Sequence, residues 1–114
     1  MSKKNRKIIY SPGYGAGWVS WASSKTREQR LFMLEYQPFI EILESGKQIN
    51  SSDIELFEED WRKKFPDDNP FDPPYTGGLG KAEVMEVPYG VRIRIDEYDG
   101  SESVELEGEY DDWY

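Results

Sequence analysis

Residues 91–107 read VRIRIDEYDGSESVELE, and the fold follows from where this run turns. Asp-Gly between two alternating segments is the strongest short-range hairpin signal, because a two-residue type I′ turn needs positive φ at both central positions. A turn at Asp99-Gly100 sets Arg94 opposite Glu105, Arg92 opposite Glu107, Ile93 opposite Leu106 and Ile95 opposite Val104. Opposite charges then share one face and apolar pairs the other, and a slip of one residue would scramble both. The same register places Glu97 against Glu102. Stability alone would not select a like-charge pair, so this pair counts toward a partner at this end of the chain.

Upstream, AEVMEV leads through Pro88-Tyr89-Gly90 into the same run, which predicts a second hairpin between strands 83–87 and 91–98. RKIIY at 6–10 reads as a short strand, and WVSWAS could extend one, with Trp18 and Val19 on opposite faces. The middle of the chain is helical. Thr26 or Ser24 offers an N-cap, and Leu31, Met33 and Leu34 give an apolar face. Pro38 predicts a break near Tyr36–Gln37 and a second segment carrying Phe39, Ile40, Ile42 and Leu43, closed by Gly46. Ser52 with Glu55 fits a capping box. Ile54, Phe57, Trp61 and Phe65 then form one helical stripe, expected to pack on a sheet. PDDNPFDPPYTGGLG, residues 66–80, holds four prolines and three glycines and reads as a long crossing loop of the kind that often carries function. The expectation is one α+β domain over 1–114, an antiparallel sheet of three to four strands packed on two to three helices.

Composition narrows the chemistry. The chain has no Cys and no His. That excludes disulfides, thiol nucleophiles, His-dependent triads and Cys- or His-ligated metals. Carboxylates, Lys, Tyr, Ser and backbone amides remain, and no motif assembles them into a catalytic set; the expectation is a binding protein, not an enzyme, with no cofactor and no metal. With no apolar run of membrane-spanning length, and no apolar stretch after the basic start, a cytosolic location without a membrane partner is expected. The net charge of −9 is unevenly placed. Residues 95–114 hold nine acids and no Lys or Arg, whereas the first 94 residues hold 14 of each sign. Such a field disfavours direct nucleic-acid binding and favours basic partners. The basic start, with Lys3, Lys4, Arg6 and Lys7, reads as a solvated, frayed terminus.

YSPGYGAGW at 10–18 resembles a phosphate loop only superficially. A dinucleotide fingerprint needs glycine at its first, third and sixth positions, and the sixth is Trp18; a P-loop needs a lysine that is missing here. Two readings stay open. Its backbone can form an anion nest, with Tyr10, Tyr14, Gly15, Gly17, Trp18 and Trp21 lining a small-molecule site for a nucleotide signal. Alternatively it is a tight loop whose rings fold back on the sheet. DEYDG fails as a calcium loop, since the first ligand position is Ile95. A glycosidase pair among 23 acids has no specificity.

KIIYSPGYGAGWVSW together with VPYGVRIRIDEYDGSESVE resembles a family of small bacteriophage and prophage proteins. They share an N-terminal Tyr-Gly-Trp segment and a C-terminal EYDG-SES hairpin. The resemblance covers both ends of the chain and carries no catalytic residues. It implies a counter-defence protein of the anti-CRISPR or anti-restriction kind, acting in the host cytosol. Such a protein offers carboxylates where a nucleic-acid-processing complex expects phosphates. The expected partner is a host protein or ribonucleoprotein with a basic nucleic-acid-binding surface. The expected contact residues are Asp96, Glu97, Tyr98, Asp99, Glu102, Glu109, Tyr110, Asp111, Asp112 and Trp113. The acids supply steering and the rings supply anchors.

Overall fold

The structure, a computed structural model, describes residues 5–13, 15, 17–22, 24–88 and 93–106. The hairpin is as the Asp-Gly signal predicts. β3 (Ile93–Tyr98) and β4 (Ser101–Leu106) pair antiparallel, with Arg94 against Glu105 and Ile95 against Val104. Asp99 has φ 52° and Gly100 φ 84°, the two left-handed residues that a type I′ turn requires. On the outer face Arg94 bridges to Glu105 at 2.7 Å and to Asp96 at 3.2 Å. On the inner face Ile93 is buried, and Ile95 and Val104 pack against the core. The expected pair Arg92–Glu107 lies outside the described residues.

The second expected hairpin is corrected. β2 (Glu83–Pro88) pairs with β1 (Asn5–Tyr10), with Ile8 opposite Met85 and Ile9 opposite Val84. The four strands therefore form two antiparallel two-stranded sheets, β1-β2 and β3-β4, instead of one meander. Burial explains the choice. Consecutive strand residues point to opposite faces, yet Ile8 and Ile9 are both fully buried. The β1-β2 ribbon is thus covered on both sides, with α1 (Arg27–Leu34), α2 (Gln37–Glu44) and β4 all in contact with β1. Pro88, which lacks an N–H, ends β2. Arg6 and Lys7 are not a frayed arm: they lie in β1 and bridge to Glu35 at 2.6 Å and Glu44 at 2.8 Å, tying the strand to both helices.

The helix signals hold with local adjustments. Thr26 caps α1 with a reciprocal Thr26–Gln29 capping box. α2 starts with Pro38 in its first turn and ends in a Schellman arrangement. There Gly46 at φ 84° donates to the Leu43 carbonyl and Lys47 to that of Ile42. α3 (Ser51–Lys64) is capped by Asn50 and Asp53, not by Ser52 and Glu55. Asn and Asp make the same reciprocal bonds two residues earlier, which lets the helix keep Ser52 and Glu55 inside its first turns. WVSWAS does not extend a strand. Val19–Trp21 form a 3₁₀ turn, and Trp18 and Val19 are both buried.

These elements enclose one largely aromatic core. Phe57 of α3 lies 5.6 Å from Trp18, 5.4 Å from Phe39 and 5.0 Å from Tyr36, measured between ring centroids. The α3 stripe thus packs on rings from α1, α2 and the loop before them, where a sheet was expected. The buried Trp18 indole keeps its polar handle by donating to the Met33 carbonyl at 3.0 Å. No helix among the described residues is long and apolar enough to cross a membrane.

The phase of α3 has a direct consequence. Phe57→Ala is expected to lower unfolding free energy by about 3–5 kcal/mol in urea titration, through lost contact and a cavity. Its neighbour Leu56 is 58% exposed, so Leu56→Ala is expected to cost less than about 0.5 kcal/mol.

Candidate functional site

The glycine-aromatic loop does build an anion nest, and the anion in it is the protein's own. Glu102 is 2% exposed. Its Oε1 accepts from the Ser11 amide at 2.9 Å. Its Oε2 accepts from the Trp18 amide at 2.6 Å, the Ser20 amide at 2.9 Å and the Ser20 hydroxyl at 2.7 Å. A carboxylate offers acceptors only, which suits a pocket that presents four donors. The Glu102 amide in turn donates to the Ser11 carbonyl at 2.7 Å. Two further bonds join the same segments: Gly15 N–H to the Asp99 carbonyl at 2.7 Å and Ser101 Oγ to the Pro12 carbonyl at 2.6 Å.

Glu102 therefore leaves the set of residues expected to meet a partner, because its charge is spent inside the fold. The Glu97–Glu102 pairing exists in the predicted register, on the inner face, and each carboxylate has internal donors. Glu97 accepts from the Gly100 amide at 2.6 Å and from the Trp21 indole at 3.3 Å. The like-charge pair is explained within the chain and no longer argues for a partner. Asp96 is half-buried and bridged to Arg94, Asp99 is exposed in the turn, and Tyr98 is 77% exposed. The tip thus gathers Asp96, Glu97, Tyr98 and Asp99. Glu109, Tyr110, Asp111, Asp112 and Trp113 lie outside the described residues.

The residues of the alternative small-molecule site separate. Trp18 belongs to the core, fully buried, so its ring cannot stack on a ligand. Gly17 is buried, and a Cβ there would strike Ser20 and Trp21. Gly15 is exposed at φ 97° with its amide already donated. Tyr10 is half-buried; burial first, and then the charge and hydrogen bond of Glu83, raise its hydroxyl pKa. Tyr14 lies outside the described residues. Trp21 lines a surface cleft of about 540 Å³.

The opposite wall of that cleft comes from the proline-rich loop, which sequence reasoning flagged without naming its residues. Tyr75 meets Trp21 with ring centroids 5.2 Å apart, and the two rings are 44% and 39% exposed. The loop is anchored by Lys25, whose side chain is 2% exposed and bridges to Asp68 at 2.8 Å. Lys25 also donates to the Asp72 carbonyl and lies 5.6 Å from the Trp61 ring centroid. Asp68 further accepts from the Trp61 indole at 3.0 Å and from Gln29 at 3.2 Å. Burial alone would raise the Asp68 carboxyl; the hydrogen bonds from Lys25, Trp61 and Gln29, with the Lys25 charge, outweigh it and hold the pKa below the usual aspartate value. The loop ends in a 3₁₀ turn, Gly77–Lys81, which its glycines had not indicated.

Among the described residues no group of three or more acids is placed to hold a metal ion. Comparison with protein-family models, curated protein sequences and solved structures returned no match.

Two stability effects follow. Glu102→Gln places an amide N–H₂ against backbone donors, and Glu102→Ala strands all four; we expect losses of about 2 and about 3–5 kcal/mol in urea denaturation. Glu97→Ala, at an exposed carboxylate, is expected to cost under about 1 kcal/mol. Asp68 titrates below its unfolded value, so its contribution is present above about pH 4 and is lost as pH falls through the lower folded value. Asp68→Asn is expected to be less stable at neutral pH and to show a flatter acid limb when urea midpoints are followed downward in pH.

Proposed function

We propose that this chain is a phage-type inhibitor that binds a basic, nucleic-acid-processing protein of a host defence system through the tip of the β3–β4 hairpin. One observation carries the reading: Tyr98, 77% exposed, stands on a stitched two-stranded hairpin beside Asp96, Glu97 and Asp99. Tyrosine is enriched at interface hot spots, and a largely exposed tyrosine on a bonded hairpin offers such an anchor. The surrounding carboxylates speed encounter with a basic surface. The sequence adds that the excess negative charge lies in residues 95–114, after a body of balanced charge. The resemblance of both chain ends to phage proteins supports the biological setting. Nothing in this reading calls on catalysis, and the absence of Cys and His agrees with a binding role.

The test is the triple variant Asp96→Lys, Glu97→Lys, Asp99→Lys, used beside the native chain in affinity capture from host lysate at low and high salt. The native chain is expected to recover a nucleic-acid-binding complex at low salt, with competition by DNA. The variant is expected to bind that complex at least about ten-fold more weakly while keeping its folded circular-dichroism spectrum. Equal recovery by the folded variant, or recovery indifferent to salt, would rule out the hairpin-tip mechanism.

A further inference from the structure

We propose that the cleft lined by Trp21 and Tyr75 is a receptor for an arginine side chain of the partner. The inference rests on the reading above that the partner is basic, and it assigns a second contact beside the hairpin tip. The two rings touch, both line the cleft and both are partly exposed. Each is seated on a glycine: a Cβ at Gly17 would collide with Trp21, and one at Gly77 with Tyr75. Each glycine leaves room for the ring beside it. Arranged aromatic faces attract a cation, and a guanidinium, flat and weakly hydrated, stacks on them better than an ammonium does.

The walls give the sign of the ligand. Glu58 and Asp72 line the same cleft. Glu58 is half-buried and carries no hydrogen bond from the described residues, and the Asp72 carboxylate stays 3.9 Å from Lys25 with its side chain 53% exposed. Both retain acceptor capacity for a forked donor. The cation that also lines the cleft does not cancel them, because the Lys25 ammonium is buried and turned to Asp68 and the Asp72 carbonyl. A phosphate or nucleotide would meet net negative charge there; an arginine meets rings and carboxylates together. The Trp21 indole donates to Glu97, so the cleft adjoins the acidic tip and one basic surface can span both.

The experiment titrates the full chain with Nα-acetyl-arginine amide and follows tryptophan indole N–H resonances by NMR. Trp21→Phe identifies the reporting peak. The citrulline derivative, matched in shape and uncharged, is added at equal ionic strength. The Trp21 signal is expected to move about five-fold or more further with arginine than with citrulline. Tyr75→Ala, checked for its folded spectrum, is expected to abolish the movement, and Glu58→Gln to reduce it. No Trp21 response to arginine, an equal response to citrulline, or an unchanged response in folded Tyr75→Ala overturns the proposal. The titration reads the cleft without the tip. A null result with hairpin-dependent capture intact removes the cleft alone, and a normal titration with hairpin-independent capture removes the tip mechanism alone.

Discussion

Glu102 lies 91 residues from Ser11, yet its carboxylate and amide make five hydrogen bonds to Ser11, Trp18 and Ser20. Burying a carboxylate without a cation is costly unless donors replace its water. Here backbone amides of a loop do so, and the loop can present them only because Gly15 takes a left-handed φ and Gly17 leaves room for Ser20 and Trp21. The dependence runs both ways. Without Glu102 the loop would hold buried, unpaired donors; without the loop's amides the carboxylate could not be buried. One interaction thus fixes the N-terminal segment, seats Trp18 in the core and holds the C-terminal hairpin to the body.

The N-terminal loop braces the hairpin tip. The tip is bonded at Asp99, Ser101 and Glu102 to residues 11–20, so Tyr98 projects from a braced element. The acids near it are fewer than their number in the sequence implies, because Glu102 is internal and Asp96 shares Arg94 with Glu105. What remains outward is a mixed surface of ring and carboxylate.

Lys25 plays for the proline-rich loop the part that Glu102 plays for the glycine-rich one. Its buried ammonium is held by Asp68 and by the Asp72 carbonyl, with the Trp61 ring beside it. Four prolines lower the entropy that the loop loses on ordering, and a single buried ion pair then sets its position. Removing one partner of such a pair leaves an uncompensated buried charge. The arrangement here brings Tyr75 against Trp21, whose own position depends on the Glu102 nest.

Local sequence determined the elements whose signals are local: the Asp99-Gly100 turn and its register, the break before Pro38, the Gly46 cap, and the stripe of Ile54, Phe57, Trp61 and Phe65. In each, the deciding physics acts within a few residues, as a φ preference, a missing N–H or a helical period. The pairing of β2 with β1, the nest around Glu102, the burial of Lys25 and the meeting of Trp21 with Tyr75 join residues 43 to 91 positions apart. Only the tertiary structure decided these, because which of 23 carboxylates is buried depends on donors supplied by a distant loop. The like-charge pair Glu97–Glu102 left a trace in the sequence, a local conflict that long-range hydrogen bonds resolve.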